Sequence, residues 1–123
     1  MTASDAAARA YAALDPTLTS PARAEARVFA RVTRRLEAGA DRAGPIGPDM
    51  VGALHDNRRL WAAAAMAAAD DANAMPAPLR AQILSLAGFV DRRTSAVLSG
   101  GATVRPLTEI NRRVAAGLSG VGV

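Results

Sequence analysis

Residues 60–69 read LWAAAAMAAA, ten positions without a charge, and alanine fills 31 of the 123 positions of the chain. This excess constrains the fold more than any other feature. Alanine is the best helix former and a poor core filler, whereas strands draw on β-branched and aromatic side chains; the only aromatics are Tyr11, Phe29, Trp61 and Phe89. The expectation is an all-α fold, a compact bundle of about five helices in a single domain over residues 1–123, with helices packed closely around a thin core.

The ten-residue run is half of what a membrane span needs. Asp5 and Arg9 interrupt the N-terminal alanines, so no basic-then-apolar leader is present, and the expected setting is the cytosol with no membrane partner. Absence of cysteine excludes a disulfide framework, thiolate metal sites and a cysteine nucleophile. His55 is the only histidine, which excludes a two-histidine metal site, and it is read as a half-exposed helix residue. No Gly-x-Ser-x-Gly elbow occurs to support a serine hydrolase. Among Gly39, Gly44 and Gly47, Pro45 and Pro48 remove two amides that a phosphate loop would use, and no Lys-Ser/Thr follows. The chain is therefore expected to carry no catalytic residue, metal or cofactor, and to be a binding protein.

Proline and glycine punctuate the helices. A first helix is expected over about residues 4–14, stopped at Asp15-Pro16 because the residue before a proline avoids the α region. A second starts at Ser20-Pro21 and ends at Gly39, a residue suited to a left-handed C′ position, with Val28, Phe29, Val32 and Leu36 on its core side. Pro48 and Asp49 open a third, running to about Ala69, with Met50, Leu54, Trp61 and the alanines at 64, 65 and 68 on one side. A fourth, over about residues 78–98, aligns Leu79, Ile83, Leu86, Val90 and Val97 and closes at Gly100-Gly101. A fifth, over about residues 104–118, repeats the spacing with Leu107, Ile110, Val114 and Leu118 before a frayed tail at about 119–123.

All 15 basic residues are arginine and the formal charge is +4, a composition that with the alanine excess reflects G+C-rich coding as readily as nucleic-acid binding. On the second helix Arg23, Arg27, Arg31 and Arg34 fall within a sector of about 80°, opposite Val32 and Leu36. Two readings stand for this stripe: a solvated face, or a surface for RNA or an acidic protein. Asn57 projects between Leu54 and Trp61, and Asn111 between Leu107 and Leu118, so both amides are expected to face inward. Each is either a satisfied core amide or a partner-facing group in a groove, and Trp61 poses the same choice between core and binding hot spot.

The strings NRRLW at 57–61, DANAMP at 71–76, Leu79-Arg80 with Ile83, AGFV at 87–90 and LTEINRRVAAGL at 107–118 resemble, in order and spacing, the flagellar biosynthesis regulator FlaF of alphaproteobacteria. The resemblance extends to Ala8 and Tyr11, and to Ser20-Pro21 with Glu25-Ala26, and so covers nearly the whole chain. Arg23 stands where an apolar or acidic residue is usual, and alanines fill 62–65 where bulkier residues are common. The resemblance implies a cytosolic accessory factor of flagellar assembly that binds flagellin as a secretion chaperone, supporting its synthesis and export and acting with the translation repressor FlbT. RNA-binding control of flagellin message, or a scaffold between FlbT and flagellin, are the alternatives. The matched motifs nominate Asn57, Trp61, Asn73, Pro76, Asn111 and Arg112 as partner-binding residues.

Overall fold

The computed structural model describes residues 21–41, 45–70 and 74–121, with the backbone alone for 21–26 and 115–121. It contains α1 (Pro21–Gly39), α2 (Pro48–Ala69), α3 (Ala77–Leu98) and α4 (Arg105–Val121), with no strand among the described residues. These four correspond to the second to fifth helices expected from sequence; the helix expected at about 4–14 lies outside the described residues. None of the four is long and apolar enough to cross a membrane.

Local chemistry sets the ends. Gly47 caps α2 in extended conformation ahead of Pro48, whose missing N–H costs nothing in the first turn, and Asp49 complements the positive end of the helix dipole. At the other end, Arg80 Nε donates to the Ala68 carbonyl at 2.7 Å, taking up an acceptor that the helix leaves open. α3 closes in a Schellman turn: Gly100 at φ 85° donates its N–H to Val97 at 3.0 Å, and the Gly101 N–H reaches Ala96 at 2.9 Å.

α2 packs against α1 on one side and α3 on the other, while α4 lies on α1 and touches α3 more lightly. Asp41, just past the end of α1, pairs with Arg105 at the start of α4, and Thr33 earlier on α1 meets Asn111 further along α4, so the two helices run antiparallel. The main core joins Val32 and Leu36, Ala53 and Leu54, Trp61, Val90, Val97 and Leu107; a smaller cluster of Ala68, Leu79 and Ile83 closes the α2–α3 end. Removing side chains such as Leu36, Leu54 and Leu107 from water stabilises the bundle by about 1.5–3 kcal/mol each.

Three expectations change. Val28 is 38% exposed, because it sits roughly 90° around α1 from the centre of the buried arc of Phe29, Val32, Thr33 and Leu36. Gly39 is not left-handed: it ends α1 with an ordinary negative φ, and its lack of a side chain makes room for Met50, whose Cε would lie 2.3 Å from a Cβ there. α4 runs as helix to Val121, past the end expected at about residue 118, with Gly117 and Gly120 in its last turns supplying no left-handed stop, and residues 122–123 lie outside the described residues.

Candidate functional site

Where α1, α2 and α4 converge, a chain of buried polar side chains replaces apolar packing. Trp61 Nε1 donates to Asn111 Oδ1 at 3.1 Å. Asn111 Nδ2 donates to Asn57 Oδ1 at 2.7 Å and to Thr33 Oγ1 at 3.2 Å, and the Thr33 hydroxyl donates to the Phe29 carbonyl at 2.8 Å. An indole N–H can only donate, so it fixes the Asn111 oxygen toward Trp61 and the Asn111 nitrogen toward Asn57. That in turn fixes the Asn57 oxygen. The Asn57 Nδ2 is left buried without a hydrogen-bond partner. Asn57 and Asn111 are both fully buried, so their side chains belong to the core of this bundle.

Trp61 has a second neighbourhood. One edge of its ring forms the floor of a shallow groove between the antiparallel α2 and α3, with Ala62 and Ala65 on one wall and Leu84 and Gly88 on the other. Beyond that wall α2 exposes Ala62, Ala63, Met66 and Ala69 in succession, Met66 at 76%, while Leu84 on α3 is 42% exposed. A helix apolar around most of its circumference is normally covered on more than one side. At one end of the groove Arg58 Nη2 donates to the Asp91 carbonyl at 3.0 Å and to Ser95 Oγ. Its Nε lies 3.0 Å from Asp91 Oδ1, a charge contact without hydrogen-bond alignment.

The other nominated residues scatter. Arg112 is exposed on α4 and pairs with Glu37 on α1 at 2.7 Å; that hydrogen bond, then the carboxylate's charge, raises the guanidinium pKa further. Pro76 is exposed and caps α3, its carbonyl accepting from the Arg80 N–H at 3.0 Å. Asn73 lies outside the described residues. Arg27, Arg31 and Arg34 line the exposed face of α1 with no ion pair among the described residues, whereas the Arg23 side chain is not described. His55 is exposed, and no cluster of potential ligands able to hold a metal occurs among the described residues.

Sequence periodicity did not reveal Thr33 as a network member, Leu84 as a groove residue or Met66 as an exposed residue beside the groove. The available signal was an apolar residue off the core stripe: Leu84 beside Ile83, and Met66 within an alanine run.

A family model described as flagellar protein FlaF matches residues 7–118. The chain belongs to the FlaF family. Comparison with curated proteins and with solved structures gives no match. Two of the FlaF-like strings meet in the polar network, since NRRLW supplies Asn57 and Trp61 and LTEINRRVAAGL supplies Asn111. NRRLW and AGFV then meet again at the groove, through Arg58 and Trp61 on α2 and Ala87, Gly88 and Val90 on α3. In this FlaF-family chain, the same short segments thus build both the centre of the bundle and the surface beside it.

Proposed function

We propose that the protein is an accessory factor of flagellar assembly that binds flagellin in the cytosol as a secretion chaperone, supports flagellin synthesis and export, and acts with the repressor FlbT. The observation that carries this reading is the uncovered apolar strip of Met66, Leu84 and the α2 alanines, in a chain of a flagellar family. Flagellin has long terminal helices that self-assemble if left exposed, and an apolar groove between helices suits an amphipathic helical client. Such a role asks for binding surfaces and no catalytic group. Purified protein mixed with monomeric flagellin is expected to co-elute on size exclusion and to give a saturable heat of binding. Separate elution with no heat would end the proposal.

A second reading has its own support in the exposed row of Arg27, Arg31 and Arg34, which makes no ion pair among the described residues. It makes the protein a regulator that contacts the leader of flagellin message. Binding would then weaken steeply with salt, and each neutralised arginine that contacts phosphate would reduce the salt slope by about one. A leader that shows no mobility shift at low salt removes this reading.

A further inference from the structure

We infer that the α2–α3 groove seats one client helix, about two turns of an amphipathic segment with bulky aliphatic residues on its apolar side and a carboxylate at the end that meets Arg58 and Arg92. The inference rests on the client-binding reading above and specifies where and what the protein binds.

Shape selects the class of ligand. No strand edge is present among the described residues, so a client cannot add as a β-strand, and a single tryptophan is too little for an aromatic-lined polyproline site. A helix remains. From residue 58 to residue 65 the α2 wall extends about 10 Å at 1.5 Å per residue, close to two helical turns. Ala62 and Ala65 let an incoming backbone approach closely but offer little volume, so the client must supply the bulk against Trp61 and Leu84. Two copies of this groove laid face to face would oppose alanine to alanine, which argues against a second copy as occupant.

Charge gives the direction. At the Arg58 end the Arg58 guanidinium is paired with Asp91, and the Arg92 guanidinium lies nearby over Gly88. Arg92 makes no ion pair among the described residues, and its Nη1 lies 3.3 Å from where a Gly88 Cβ would be, so the free charge sits over the groove wall. At the opposite end the Arg80 guanidinium is already engaged with the carbonyls of Ala68 and Ala69. The groove is therefore positive at one end, and a client carboxylate belongs there.

The test titrates monomeric flagellin into the full-length protein carrying fluorotryptophan at position 61, with calorimetry for affinity and the fluorine signal for occupancy of the groove floor. Wild type is expected to bind with a shifted signal. Leu84→Glu and Arg92→Glu should each weaken binding about ten-fold or more with unchanged thermal melting, and the Arg92→Glu loss should shrink as salt rises. Arg113→Glu, at an exposed position on α4 that does not line the groove, should bind as wild type. Wild-type affinity in both groove variants, or an unmoved fluorine signal at saturation, overturns the groove while leaving the flagellin reading intact. No binding by wild type removes that reading and the groove with it. A flagellin-independent dimer that Leu84→Glu dissociates makes a second copy the occupant and also overturns the inference.

Discussion

Asn57 and Asn111 are alike in burial and differ in what they hold. Asn111 uses its oxygen for Trp61 and its nitrogen for both Asn57 and Thr33, whereas Asn57 offers one accepted bond and an unsatisfied Nδ2. Leucine keeps the branched outline of asparagine but is larger, so both replacements add a comparable overpacking cost, beyond which the costs that distinguish them are polar. Asn111→Leu strands the indole N–H and the Asn57 oxygen, and is expected to cost about 2–4 kcal/mol. Asn57→Leu removes a donor that was already unpaired and leaves Asn111 its bond to Thr33, so the expected cost is about 1 kcal/mol or less. Urea unfolding of the two variants measures the difference, and the opposite ranking would mean that the amides are not arranged as described.

The helices are held by two glycines with different reasons to be glycine. At Gly100 the backbone is left-handed, so Gly100→Ala is expected to lower stability by roughly 1–2 kcal/mol through strain. At Gly39 the backbone suits alanine, and the gain in helix propensity is offset by displacing the flexible tip of Met50, giving a net change within about 1 kcal/mol. Thermal melts of both variants check the contrast. The sequence already marked most of this level: Pro21, Pro48 and Gly100-Gly101 punctuate the helices where expected, and α3 begins at Ala77, just ahead of Pro78. It also indicated that Asn57 and Asn111 face inward, because periodicity gives the direction of a side chain around its own helix axis. Periodicity does not say which helix stands opposite. Hence the bond between the two asparagines, the role of Thr33, the space kept at Gly39 and the outward course of Leu84 became visible only with the helices assembled.

Across the whole molecule, the long side chains of Trp61, Asn57 and Asn111 tie α2 to α4, two helices whose backbones do not pack directly. Exposed pairs such as Arg35–Asp56 and Arg112–Glu37 add cross-links at the surface, where solvent screening leaves each little to contribute. With the network at the junction of α1, α2 and α4, the bundle is expected to unfold as one cooperative unit. Trp61 fluorescence and far-ultraviolet ellipticity should therefore lose their signals at the same urea concentration; separated midpoints would show that part of the bundle melts independently.

The antiparallel contact of α1 with α4 has a topological consequence. Asp41 lies by Arg105 and Thr33 by Asn111, so continuing the two helices outward brings the first turn of α1 and the last turn of α4 to the same end of the bundle. In packing terms the helix order is circular, and the backbone break between α4 and α1 need not be the place where the bundle is opened. A short linker joining those turns, with new ends cut between α2 and α3, would leave the same neighbours in place under a rotated connectivity.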